Sequence, residues 1–407
     1  MGQTLVLVLR VSGLHNTQLL VDVGEKVIQK NNPYLPMQPY SAFPGFIYRV
    51  IDFFSFGMNS PIIFILLNLI GIYSLINFLL PDLQNKDKLF IFSILLFTSP
   101  IRALVANVQH TGIILGSLIL GVTIYRSANR NSGSLITHSI GILFLVFALE
   151  IKPQIAIPFI IVWLVQERIF RNLLIILSEV FTIHFLIDVW VGRILELDQL
   201  KVWLYMKNDA LTISEQTSLW KLLQMQNLVG IDWFKLSFAF YFIGLFLLAY
   251  LALRRPTDSL LRWAVFLPTV TAYLHLYDLI TFAIVICYWA IFNARYRGAM
   301  LLLGLITIPT RLNSLNEYFN SSIFIFAVGL IIFFNWNRKI YQDRKSAYLE
   351  MMLAFFTVLI ISRLHFSLEE KVSIQVTMVM TSVILIMVYK WNKVKQRNAK
   401  GSWFDGI

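Results

Sequence analysis

Charge is the scarcest commodity in this chain of 407 residues: 14% are Asp, Glu, Lys or Arg, while 57% are apolar. A water-soluble domain carries about 25% charged and about 45–50% apolar residues. So few charges cannot cover a surface in water, which excludes a soluble enzyme, a nucleic-acid-binding module and a disordered scaffold. Cysteine is nearly absent. Cys287 stands alone inside the apolar run Leu279–Phe292, so there is no disulfide framework. The sequence has no Cys/His cluster and no Asp-x-Asp pair, so no metal site is expected. No phosphate-cradling glycine loop occurs in the polar segments, which argues against a nucleotide-driven pump and a cytosolic nucleotide-sugar transferase. No internal repeat is visible, which weakens an inverted-repeat transporter reading. Met1–Leu9 lacks a basic leader and Arg10 interrupts its apolar stretch, so no cleavable signal peptide is expected.

What the chain does have is apolar runs. A membrane-crossing helix needs about 20 mostly apolar residues. Candidates are Pro61–Leu80, Leu89–Val105, Thr111–Tyr125, Leu135–Leu149, Ile155–Val165, Leu173–Trp190, Leu236–Leu253, Leu260–Tyr273, Leu279–Phe292, Ala299–Pro309, Ile323–Phe334, Met351–Ile361 and Val376–Tyr389, with Thr4–Leu20 weaker. Ile155–Val165 is the shortest convincing run, and with Pro153 and Pro158 it reads as a broken or re-entrant helix. The expected fold is all-α: a polytopic transmembrane bundle of roughly 12–14 segments, forming one integral domain.

The net charge of +12 is explained by topology. If the loop before Pro61 is external, one side receives Lys86/Lys88, Arg126/Arg130, Arg168/Arg171, Arg254/Arg255/Arg262, Arg295/Arg298, Arg338/Lys339/Arg344/Lys345 and the basic tail within residues 390–407. The short loops of the other side receive only Arg102, Lys152, Arg311, Arg363 and Lys371. By the positive-inside rule the first set is cytoplasmic, and the C-terminus with it. Residues 13–60 then form a first external loop, and residues 191–235 a large external one. In the latter Leu197, Leu200, Trp203 and Leu204 follow helical spacing, as in an amphipathic segment lying on the membrane.

Polar residues left near the external boundary are the functional candidates, because ionisable groups at membrane depth are costly. They are Asp22 and Glu25; Arg102, Gln109 and His110; Glu150, Lys152 and Gln154; His275, Tyr277 and Asp278; and Arg311 with Glu317. Each also has a structural reading. Asp22 could be a solvated acid or a helix cap. Arg102 could snorkel to headgroups. Lys152 could pair with Glu150 across a helix break, and Gln109, His110 and His275 could be polar contacts between helices. Glu179 and His184 are expected to pair within the bundle.

The chain resembles the membrane glycosyltransferases of the GT-C fold in several places. Asp22 is followed by Ile28-Gln29-Lys30-Asn31-Asn32-Pro33-Tyr34, Ser99-Pro100 by Asn107-Val108-Gln109, and Lys152-Pro153-Gln154 by Gln166-Glu167-Arg168. Further on stand Gln216-Thr217-Ser218-Leu219, and then Pro268, His275, Tyr277 and Asp278. The pattern is most similar to family 87, the polyprenyl-phosphate-mannose-dependent mannosyltransferases, with Asn31 and Val108 standing where that family has glycine. The resemblance implies an inverting transfer of a sugar from a polyprenyl-phosphate donor to a lipid or glycan acceptor on the external face of a plasma membrane, of bacterial type by its cysteine usage. It implies Asp22 as general base and no soluble cofactor. Lys152 and His275 would stabilise the leaving phosphate with motif support, Arg102 and Arg311 by topology only. Gln109, Gln154 and Asp278, with His110 and Tyr277 nearby, would meet the substrate. A lipid or glycan transporter, or a non-catalytic membrane subunit, remains open.

Overall fold

The structure is a computed structural model that describes residues 15–34, 41–54, 60–96, 98–106, 108–130, 135–169, 171–192, 194–195, 198, 233–254, 260, 263–264 and 276–292. Every regular element among them is helical. In chain order these are α1 His15–Ile28, α2 Ala42–Phe54, α3 Ser60–Leu79, α4 Asn85–Leu95, α5 Ser99–Ala106, α6 Thr111–Arg130, α7 Leu135–Ile151, α8 Pro153–Glu167, α9 Arg171–Val191, α10 Trp233–Arg254, a 3₁₀ turn Leu276–Leu279, and α11 Ile280–Phe292. Three windows are long and apolar enough to cross a membrane: Ile62–Leu79, Thr111–Asn129 and Asn172–Val191. The expected spans beyond Phe292, Leu260–Tyr273 apart from Leu260, Trp263 and Ala264, most of the 191–235 segment and the basic tail lie outside the described residues.

Where the helices begin and end differs from the sequence expectation in three places. Leu89–Val105 is two helices, α4 and α5. Pro100, in the first turn of α5, cannot continue a preceding helix. Thr98 closes α4 instead, its Oγ1 donating to the carbonyl of Leu95 at 2.7 Å. Conversely, Pro153–Glu167 is one continuous helix. Pro153 sits at its start, where a missing N–H costs nothing, and Pro158 is absorbed inside. Finally, the 13–60 segment is not simply a loop, since it carries α1 and α2.

The chain divides into two compact units. One comprises residues 1–88, 103–212 and 238–263; the other comprises 89–102, 213–237 and 264–407. In the first, α3 and α6 run parallel and so close that a Cβ on Gly71 would lie 1.9 Å from the carbonyl oxygen of Gly112. Helices surrounded by hydrocarbon gain no hydrophobic advantage from meeting each other. Small residues that let backbones touch supply the contact instead, and Gly112 and Gly116 have the G-x-x-x-G spacing. Asn68 of α3, fully buried, exploits the proximity: its Oδ1 accepts the N–H groups of Gly112 at 2.8 Å and Ile113 at 3.2 Å. This caps α6 from a neighbouring helix and satisfies donors that a helix start leaves orphaned. α7 returns antiparallel to α6, with Gly141 against Gly121 and Tyr125. α8 runs back beside them, with Trp163 edge-on to Tyr125 and Phe159 edge-on to Trp263.

The two ends of this bundle have different chemistry. At the end where α6 finishes, Asn172 Nδ2 donates to Tyr125 Oη, His138 bonds Asn129, and Arg126 forms an ion pair with Glu167 in which both side chains are one-third exposed. At the end where α6 starts lies the candidate site. In the second unit, the 3₁₀ turn leads directly into α11, and both Asp278 and Thr281 are buried at this junction.

Candidate functional site

Four elements of the first unit converge where α6 begins. The segment between α5 and α6 is set by a helix-ending turn. Gln109 N donates to the carbonyl of Leu104 at 2.9 Å and Val108 N to that of Val105 at 3.2 Å, with Val108 in the left-handed region at φ 42°. This is the hydrogen-bond pattern of a Schellman ending, whose left-handed position usually holds glycine. Val108 thus occupies, with a side chain, the backbone conformation for which the resembled motif supplies glycine. The turn delivers Gln109 and His110 to the interior, 5% and 1% exposed respectively.

His110 Nδ1 shares a 2.9 Å hydrogen bond with the hydroxyl of Tyr48 on α2, their rings edge to face. Tyr48 is fully buried, stacked on Phe64 of α3 with ring centres 4.8 Å apart and flanked by Phe147 of α7. An imidazole clasped this way has its ring plane and one nitrogen fixed. Beside it, at the first position of α6, Thr111 is buried, and its Oγ1 accepts a 3.1 Å hydrogen bond from Lys152 Nζ. Lys152 occupies the single residue between α7 and α8, and its side chain is 7% exposed overall. Its carbonyl accepts the N–H groups of Ile155 and Ala156, which start α8. Gln154, in the first turn of that helix, is half-buried.

A buried ammonium and a buried imidazole at a helix start form a place where a negative group would be strongly stabilised, because little water screens the interaction. Charged groups in such a setting are expensive and point to function more often than to stability.

The other predicted residues are distributed as follows. Asp22 lies on the exposed side of α1, where its Oδ1 accepts a hydrogen bond from Gln18 Nε2 at 2.8 Å. It is no helix cap, and its carboxylate is bonded within α1 rather than to Lys152 or His110. One turn further on, Glu25 pairs with Arg49 of α2, which also binds Asp52 at 2.8 Å. Arg102 lies in α5 and Tyr277 in the 3₁₀ turn, and Asp278 beside it is buried. His275 and Arg311 lie outside the described residues.

Two expected pairings are replaced. Glu150 binds His184 of α9 at 2.9 Å rather than serving Lys152 across the break, and Glu179 hydrogen-bonds Ser139 rather than His184. The reason is helical geometry: Glu150 lies on α7, near Lys152 in sequence but turned toward α9. Glu179 and His184 are five residues apart, a spacing that does not align two side chains on one helix face.

Sequence reasoning missed Tyr48 and Arg49, and noted Thr111 only as standing near the place of an asparagine in the resembled motif. Tyr48 and Arg49 lie in the segment read as loop. Thr111 directly follows Gln109-His110, and that adjacency was the available signal. No group of three or more metal-capable side chains occurs among the described residues. No family model, curated protein or solved structure matches the chain.

Proposed function

We propose that the chain is a polytopic membrane glycosyltransferase that moves a sugar from a polyprenyl-phosphate donor to a lipid or glycan acceptor. The observation that carries the reading is the buried Lys152 ammonium on the Thr111 hydroxyl, next to the Tyr48-bound His110. A dianionic or monoanionic phosphate leaving group needs cations and donors in a poorly hydrated place, and this cluster offers them at the end of an apolar bundle. Its residues include Lys152 and Gln109, picked out by the motif resemblance, and His110, a candidate by its place near the external boundary. Three helices able to span a bilayer support the membrane setting.

In the proposed reaction the Asp22 carboxylate takes the proton of an acceptor hydroxyl. The hydroxyl oxygen attacks the anomeric carbon as the bond from that carbon to the phosphate oxygen breaks, and polyprenyl phosphate leaves with the electron pair. The configuration inverts. Lys152 stabilises the charge gathering on the phosphate, and His110, oriented by Tyr48, and Gln109 contact the donor. His275, Tyr277, Asp278, Arg102 and Arg311 are assigned to substrate binding on the sequence motif and topology, as is Gln154. The active face is the external one, with the basic tail in the cytoplasm.

The test is transfer from a panel of polyprenyl-phosphate sugars by purified protein in nanodiscs, with membrane lipid extract as acceptor. Asp22→Asn is expected to lower turnover by about 10²-fold or more, as for loss of a general base. Lys152→Met is expected to cost about 10²–10³-fold while the protein stays folded. Turnover unchanged in both variants removes these residues from the mechanism. No transfer by well-folded wild type from any donor refutes the reading.

A further inference from the structure

We propose, resting on the transferase reading of Asp22, that Asn32 and Trp190 are positioning residues for that carboxylate: they key the end of α1 to the end of α9 and so fix where Asp22 stands.

α1 and α2 form a stiff pair. A Cβ on Gly24 would run into the carbonyl of Gly45, so the two backbones touch, and Arg49 of α2 pairs with Glu25 of α1. One support of the pair on the bundle is Tyr48, stacked on Phe64 and bonded to His110. A second support lies at the end of α1, where the stretch Lys30-Asn31-Asn32-Pro33-Tyr34 builds it.

α1 closes with Lys30 N on the carbonyl of Val27 at 3.1 Å and Asn31 N on that of Lys26 at 2.8 Å, with Lys30 in the left-handed region at φ 57°. The strain of that conformation is offset by the lysine ammonium, which lies over the indole of Trp190, 4.6 Å from the ring centre. Trp190 Nε1 in turn donates to the Val27 carbonyl at 3.1 Å, using the second lone pair of an oxygen at the helix end.

Asn32 then faces two ways. Its Oδ1 accepts the N–H of Tyr34 at 3.0 Å, and its Nδ2 donates to Asp198 Oδ2 at 3.0 Å. Asp198 follows a turn set from α9, where Asp188 Oδ1 accepts the N–H of Leu195 at 2.9 Å. Between these bonds Val27, Tyr34, Ala42, Val191 and Leu195 form an apolar cluster that joins the ends of α1, α2 and α9. Tyr34 is 2% exposed, and its Oη accepts the N–H of Ala42 at the start of α2.

The consequence falls on Asp22. It stands about 7.5 Å along α1 from Val27, on the exposed side, with its carboxylate bonded within the helix by Gln18. Its place relative to the bundle is therefore the place of α1. A misplacement of about 1 Å, made far from the reacting atoms, can cost about 10²-fold in rate. Asn32 acts in this way on turnover, and the Lys152 cluster that would hold the donor is left as it is.

The experiment is steady-state transfer by full-length protein in nanodiscs, with amide hydrogen exchange on the same samples. Asn32→Asp keeps the bond to Tyr34 N but sets a carboxylate against Asp198. Adding Asp198→Asn restores one donor and one acceptor with the roles exchanged. Asn32→Asp is expected to lower kcat by about tenfold or more with the KM for the donor unchanged, and the double variant to recover most of the loss. Trp190→Phe, which keeps a ring but loses the Nε1 donor, is expected to give a smaller loss in the same direction. Exchange at Lys30 and Asn31 is expected to quicken in Asn32→Asp and return in the double variant. Unchanged kcat in both single variants overturns the proposal. So does a loss that Asp198→Asn does not recover, or one confined to KM, which would put Asn32 on the substrate. Wild type that shows the exchange pattern but transfers from no donor refutes the transferase reading and the positioning role with it. Active wild type with unaffected variants refutes the positioning role alone.

Discussion

The turn that closes α5 and the turn that closes α8 have the same hydrogen bonds. In the first, Gln109 N reaches the carbonyl of Leu104 and Val108 N that of Val105; in the second, Ile169 N reaches Leu164 and Arg168 N reaches Val165. Each places a residue with a side chain in the left-handed region, Val108 at φ 42° and Arg168 at φ 57°. That conformation costs an L-residue about 1–2 kcal/mol, and a β-branched one is the least suited to it. The surroundings differ. Val108 is fully buried, which is worth about 1.5–3 kcal/mol and offsets the strain. Arg168 is exposed and has no such return. One turn is therefore held shut by tertiary packing, the other by its own backbone bonds. The packed one presents Gln109 and His110 to the candidate site.

If the site end is held by packing, crowding it should do the most damage. Gly112→Ala puts a methyl group 2.3 Å from the carbonyl oxygen of Asn68. Overpacking of this kind against backbone is expected to cost about 3 kcal/mol or more, seen as loss of monodisperse protein on mild heating in detergent. Gly141→Ala, away from the site end, meets its nearest backbone atom at 3.0 Å and should cost far less by the same assay. Next in size is Asn68→Ala, which strips the acceptor from two N–H groups at the start of α6. It should cost about 2 kcal/mol, with faster amide exchange at Gly112 and Ile113 than in the rest of α6.

The paired turns give the sharpest and smallest contrast. Val108→Gly relieves the strain but loses a buried side chain and adds freedom to the unfolded chain, a net loss of roughly 1 kcal/mol. Arg168→Gly gives up no burial, so relief of strain exceeds the glycine entropy and stability rises by up to about 1 kcal/mol. Both are read as shifts of the thermal midpoint. Shifts of the same sign would mean that burial does not separate the two turns.

Much of the helical layout could be read from apolar run length. The runs at Pro61–Leu80, Leu135–Leu149, Leu173–Trp190 and Leu236–Leu253 sit within a few residues of α3, α7, α9 and α10. The misreadings have local causes. A run such as Leu89–Val105 has the length of a span, and only the geometry before Pro100 shows that it breaks. Pro158 looked like a second break, but a helix walled by neighbours tolerates one missing N–H. The Lys-Pro and Gln-His elements proved to lie close together because both flank helix ends at the same level. Their actual partners were not legible. Thr111 and Tyr48 carry no charge to attract notice, and the pairing of Glu150 with His184 depends on which way α7 is rotated about its axis. The G-x-x-x-G at Gly112 and Gly116, which marks the α3–α6 contact, stands in the sequence but was not read there.

The prolines at 153 and 158 have a consequence that does not depend on any side chain. Neither has an N–H, so the carbonyls of Leu149 and Gln154 lose the donors that an uninterrupted helix would have supplied. The two oxygens lie on either side of Lys152. Carbonyls freed in this way are open to any donor that comes within reach, be it a hydroxyl, an ammonium or a water molecule. Two imino acids thus leave two backbone acceptors free of helical partners, one on each side of Lys152 in the sequence.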